Sequence, residues 1–246
     1  MKIGIYGLGR FGSFWASLMA QEFDVIAYNR TQRDFDIKGV DLCSFEELCQ
    51  ADVIFLCVAI SSVEGVLKKM APLIKKGTLV MDTCSVKVMP ARQMMELLPE
   101  DVACIATHPM FGPDSGRNGV RALPLVFSPL RCEKKRADFW LQKFKESYEL
   151  DVIEMTPEEH DKEAAFTQGI THFIGRVLGE LDLTTSSIGT TGYRSLLEII
   201  EQTCNDPMQL FYDLQRFNPY THDMHLKLNE SLHDVLSKLD QAETGE

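Results

Sequence analysis

The chain has 246 residues, 45% hydrophobic and 25% charged, enough for one large core or two smaller ones. A formal net charge of −11 argues against nucleic acid or an anionic membrane surface as partner, and no apolar run offers a transmembrane helix. The amino terminus lacks a signal-peptide cleavage pattern, and the 7 scattered cysteines form no C-x-x-C pair, so a cytoplasmic protein with reduced thiols is expected.

In chain order, short β-rich runs fall at 2–7, 23–28, 52–58, 78–82, 102–106, 123–127 and 150–155. Helical patterns lie between them at 10–21, 61–74, 88–98 and 133–148. Continuous apolar strands separated by helices predict a parallel sheet covered on both faces. After 155 no convincing strand occurs. Thr156 followed by Glu158 and Glu159 reads as a helix start, and long helices are expected over 157–182, 192–216 and 222–241. The prediction is therefore an α/β protein with a Rossmann-type doubly wound parallel sheet over 1–153, followed by an all-helical domain over 154–246.

The first strand runs into "GLGRFG", which places Gly7, Gly9 and Gly12 in a G-x-G-x-x-G turn that opens a helix. Gly7 permits the tight turn, Gly9 lets backbone approach a pyrophosphate, and Gly12 lets helix and strand pack closely. The helix amino terminus supplies N–H groups to phosphates. Arg10 and Phe11, inside the turn, are grouped with the glycines as coenzyme contacts. The second strand ends "AYNRTQR", with Asn29 where NAD binders usually carry an acid, then Arg30, Thr31 and Arg33. Guanidinium groups suit a phosphate, so NADP is favoured, with NAD as the other coenzyme.

"CIATHPMFGPDSG" puts Thr107 and His108 just past the carboxyl end of a strand, the rim where open α/β sheets bind ligands. Pro109 stiffens the backbone behind the imidazole. The residues alone leave open a turn histidine or a general base.

Several motifs in order, "GLGRFGSFWA", "DTCSVK", "THPMFGPDSG", "EEHDKEAAFTQGITHFIGRVL" and "GYRSLLEIIEQTCNDPMQLFYDL", resemble the prephenate and arogenate dehydrogenases of tyrosine biosynthesis. The carboxy-terminal half looks most like the plant arogenate enzymes. The resemblance implies oxidative decarboxylation of a cyclohexadienol, with His108 as the base on the ring hydroxyl and Ser85 holding that hydroxyl and the histidine. It also implies a homodimer formed through the helical domain.

His160, Ala164, Gln168 and His172 recur every four residues, a stripe that drifts about 40° per step on a helix. The family places this helix over the active site, which makes Gln168 and His172 substrate contacts; a plain packing face is the other reading. Bacterial prephenate-specific relatives carry a carboxylate-gripping arginine that aligns with Gln202 here. Arg194 is roughly 12 Å away along the same helix and does not simply replace it. Arg194 and Gln202 are both carried as substrate-side positions, and Asp114 and Glu198 are the carboxylates considered for a substrate ammonium. Lys87 supports the Ser85 loop or is a solvated lysine; Arg117 and Arg121 read as loop charge. His222, His225 and His233 lack a compact ligand set, so no metal is expected. The competing functions are a β-hydroxyacid-type dehydrogenase, for which Lys162 is the residue to inspect, and a non-catalytic NADP-binding sensor.

Overall fold

The computed structural model describes residues 1–31 and 35–244, so Arg33 lies outside the described residues. The chain forms two compact units, Met1–His160 and Asp161–Glu246. The division expected after residue 153 lies a few residues earlier. The first turn of the next helix belongs with the sheet unit, where the His160 ring is hydrogen-bonded to His108.

In the first unit β1 (Lys2–Tyr6) leads into α1 (Arg10–Met19), then β2 (Asp24–Tyr28), β3 (Val40–Leu42) and α2 (Phe45–Leu48). There follow β4 (Val53–Leu56), α3 (Val63–Met70), β5 (Leu79–Asp82), α4 (Val88–Leu97) and β6 (Ala103–Pro109). The unit continues with β7 (Pro124–Arg131), α5 (Lys134–Gln142) and β8 (Asp151–Glu154). One eight-stranded sheet has the order β3-β2-β1-β4-β5-β6-β7-β8. β6 and β7 are antiparallel and the other pairs are parallel. The order reverses where β1 meets β4, the switch point at which doubly wound sheets take their ligands.

Ile3, Ile5, Phe55, Leu79 and Met81 on one face and Ile54, Leu56 and Val80 on the other are fully buried because helices cover both faces of these strands. α1 turns Trp15, Ala16 and Met19 inward at helical spacing. The Trp15 ring meets Phe55 edge-on at 5.5 Å, and Trp140 of α5 meets the same Phe55 at 5.8 Å. The expected strand over 102–106 continues to Pro109, so His108 lies within β6 and not beyond it. Antiparallel β7 supplies the partners, Val126 opposite His108 and Leu125 opposite Pro109.

Thr156 caps α6 (Pro157–Ala164): its hydroxyl accepts the Glu159 N–H, and the Glu159 carboxylate accepts the Thr156 N–H at 2.8 Å. The sequence predicts a helix start here, and these bonds make it a reciprocal capping pair. The helix continues through a π-helical turn, Ala165–Gly169, into α7 (Ile170–Gly179). α8 (Thr191–Cys204), α9 (Met208–Phe217) and α10 (Thr221–Thr244) complete the second unit. The helix expected over 192–216 is two helices because Pro207 lacks an N–H and biases Asp206 away from helical geometry. α7 and α8 pack closely at Gly175, where a Cβ would stand 2.2 Å from the Thr203 hydroxyl. Gln215 Nε2 donates to the Gly169 carbonyl at 2.9 Å, and Asn218 Nδ2 to the Asp161 carbonyl at 2.7 Å. Among the described residues no helix is long and apolar enough to cross a membrane.

Candidate active site

The turn between β1 and α1 has the geometry a dinucleotide requires. Gly7 adopts φ +100, and a Cβ there would stand 2.4 Å from the Cys57 carbonyl oxygen. A Cβ on Gly12 would stand 1.9 Å from the Gly7 carbonyl oxygen, so the turn admits no side chain at either position. No atom lies within 4 Å of the Cβ position of Gly9, which leaves backbone open to close approach. Gly9 caps α1 without a side-chain bond, so the first-turn N–H groups face outward for a phosphate. These features fit a nicotinamide dinucleotide.

The flanking residues have specific duties. Asn29 Oδ1 accepts the Leu8 N–H at 3.0 Å and its Nδ2 donates to the Thr31 carbonyl at 2.7 Å, so the amide braces the glycine turn against the end of β2. Arg30 and Thr31 are exposed beside it. Phe11 is half-buried and stacks on Trp15. Arg10 donates to both carboxylate oxygens of Asp114, at 2.9 and 2.8 Å, joining the glycine turn to the loop that follows His108. Asp114 is thus committed to Arg10. Arg117 and Arg121 line a groove of about 410 Å3 with Phe14 and Tyr148, and no expected site residue lines it.

At the carboxyl rim, Asp82 ends β5 and Thr107 and His108 lie near the end of β6. Lys87 and Asp82 form an ion pair with no exposed side-chain surface. Lys87 Nζ also donates to the Thr107 carbonyl at 2.7 Å. The Asp82 carboxylate accepts the Cys84 N–H at 3.1 Å and the Thr107 N–H at 3.3 Å. Ser85 sits half-buried in the loop so held. His108 Nδ1 lies 2.8 Å from His160 Nε2, and both residues are 2% exposed. The spacing-by-four pattern had grouped His160 with Gln168 and His172; its ring partner is His108. Nothing local in the sequence connects residues 52 positions apart, although both histidines stand in the quoted motifs.

In the second unit, Gln168 Oε1, His172 Nδ1 and Arg176 Nε are buried and find no hydrogen-bond partner among the described residues. Such atoms cost free energy unless a ligand or water supplies a partner, and three at spacing four form a polar stripe ready for one. Burial holds His172 below the usual histidine range; Asp206 opposes that shift and Arg176 adds to it. Asp206 is therefore the carboxylate in electrostatic reach of His172, and sequence reading missed it along with Arg176. Arg194 is exposed and donates to the Gly189 carbonyl at 3.3 Å near the start of α8. Gln202 and Glu198 are exposed on the same helix, and Lys162 is exposed on α6.

Known proteins resemble this chain in sequence and in fold. Residues 28–125 match the family model described as prephenate dehydrogenase, nucleotide-binding domain. Residues 177–246 match a TYRAAT1-like C-terminal domain. Arogenate dehydrogenase 2, chloroplastic, of Arabidopsis thaliana is 33% identical over 97% of this chain and 70% of its own length. Arogenate dehydrogenase 1, chloroplastic, of the same plant is 37% identical over 89% of this chain, which spans only 36% of that relative. The crystal structure of prephenate dehydrogenase from A. aeolicus with hydroxyphenyl propionate and NAD+ superposes with a TM-score of 0.74. It covers 100% of this chain and 92% of its own at 16% identity, so it shows a shared fold.

Proposed function

The chain belongs to the prephenate and arogenate dehydrogenase family, and from that premise we propose that it oxidises and decarboxylates prephenate or arogenate in tyrosine biosynthesis. The observation that carries the reading is the bond between His108 and His160 at the carboxyl rim of the sheet. Of two neutral imidazoles facing each other, one nitrogen donates and the other accepts. With His108 Nδ1–H donating to His160, the lone pair of His108 falls on Nε2, the atom that takes the ring hydroxyl's proton. Loss of that proton pushes hydride from the carbinol carbon, and carbon dioxide leaves the opposite ring carbon as the ring becomes aromatic. When bound, the nicotinamide supplies the hydride acceptor. Ser85 holds the hydroxyl toward the imidazole.

Gly7, Gly9 and Gly12 shape the pyrophosphate turn, and Arg10 lies within the turn itself. Arg30 and Thr31, exposed at the end of β2, favour the additional phosphate of NADP. Gln168 and His172 offer their unpartnered atoms to the substrate. Asp206 favours arogenate, whose side-chain ammonium needs an anionic neighbour, over prephenate, whose side chain carries no ammonium. α10 exposes Leu232, Val235, Leu236 and Leu239 at spacings of three and four, each 50% or more exposed, and this apolar face supports a homodimer. All seven cysteines are free thiols, in keeping with a reducing compartment such as the cytoplasm. Exposure of Lys162 disfavours a lysine-dependent β-hydroxyacid mechanism.

Steady-state rates with prephenate and arogenate, each with NAD and NADP, test the proposal. His108→Asn should keep coenzyme affinity and lose turnover by roughly 10²–10⁴-fold. Undiminished turnover would remove His108 from the reaction, and absence of turnover on both substrates by the unaltered chain would leave the sensor reading.

A further inference from the structure

We infer that Lys87 is a positioning residue for the dehydrogenase reaction: its buried ammonium locks the Ser85 loop and the His108 strand end into one geometry. The inference rests on the function proposed above. Lys87 stands at the N-cap of α4 and makes no side-chain cap bond. A cation is unfavourable at a helix amino terminus, and the N-cap normally selects a small polar residue. Burying an ammonium adds a desolvation cost, and a buried ion pair is a weak source of stability compared with packed apolar side chains. The lysine is therefore poorly explained as a stabiliser of α4.

Its bonds point to another duty. Lys87 Nζ pairs with the Asp82 carboxylate and donates to the Thr107 carbonyl, the peptide oxygen immediately before His108. The same carboxylate accepts the N–H of Cys84, next to Ser85, and the N–H of Thr107. The Thr107 hydroxyl donates to the Asp82 carbonyl, closing the link between β5 and β6. One buried pair thus holds the peptide that joins Thr107 to His108 and, on the other side, the N–H of the residue before Ser85. A displacement of about 1 Å between such groups is enough to lower turnover by about 10².

The test uses the full chain with Lys87→Met and, should the unpaired Asp82 impair folding, the neutral pair Asp82→Asn/Lys87→Met. Turnover with the better substrate should fall about 10²-fold while the NADP dissociation constant stays within about twofold. In a double-mutant cycle with Ser85→Ala the losses should be strongly non-additive, because both changes disturb the same arrangement; a merely structural lysine would give additive losses. The second readout is independent of activity: the ¹⁵N imidazole signals of His108 should move in the Lys87→Met chain or the neutral-pair chain. Turnover within twofold of the unaltered chain, or additive losses, or unmoved His108 signals would overturn the inference. If the unaltered chain turns over neither substrate, the proposed function fails, and the imidazole signals alone decide whether Lys87 positions His108.

Discussion

His108 Nδ1 and His160 Nε2 stand 2.8 Å apart, and each residue keeps only 2% of its surface exposed. The contact orients one imidazole by another. His160→Phe keeps a ring of similar size and removes the nitrogen that receives the bond. Turnover should fall by up to about 10²-fold, the low end of a general-base contribution, with coenzyme affinity unchanged. Rates at saturating substrate, beside a fluorescence titration with NADP, check this; equal loss of both would mark a packing defect.

His172 yields a pH dependence of stability. Burial depresses its folded value below that of the unfolded chain, which takes up a proton near about pH 6.5. The unfolded state therefore binds more protons in mild acid. The stabilisation is complete above the unfolded value and is lost as pH falls through the lower folded value. Melting temperature should decline from pH 7 toward pH 5, and His172→Gln should flatten that decline. An identical slope in the variant would show that other groups cause it.

Arg30→Ala separates the two coenzymes. A charge-assisted bond to the extra phosphate is worth about 1.5–3 kcal/mol, so KM for NADP should rise about tenfold or more. KM for NAD should stay within about twofold. Parallel changes in both constants would reject a phosphate contact.

Asp206→Asn keeps size and removes charge beside His172. KM for arogenate should rise about tenfold, equivalent to about 1.4 kcal/mol, while KM for prephenate holds or falls. Initial rates on the two substrates measure the ratio, and an unchanged ratio would take Asp206 out of substrate selection.

Much of this arrangement was legible in the sequence because it is written locally. The glycine spacing after β1, the apolar runs of the central strands and the Thr156–Glu159 cap each follow from residues within one turn of each other. The histidine motif was legible as a motif, but its place inside β6 was not: β7 creates that pairing from 15 or more residues away, with Pro109 opposite Leu125. β3 has three residues, two of them exposed, and carries no apolar run to read. Asp206-Pro207 carried a visible break signal that helical periodicity on both sides outweighed. The Lys87–Thr107 bond and the His108–His160 contact depend on groups brought together by the sheet and by the first helical turn after β8. Spacing along the chain does not encode such meetings.

The wide turn at Ala165–Gly169 sets the phase of everything after it in α7. A π turn accommodates an inserted residue without breaking the helix. Deleting one residue there would relax the turn to ordinary α geometry and leave the downstream side chains of α7 facing as they do now. A deletion within the regular helix that follows has no such slack and would rotate the side chains beyond it by roughly 100° about the axis. This turn is therefore the place where the helix can lose a residue without re-aiming His172.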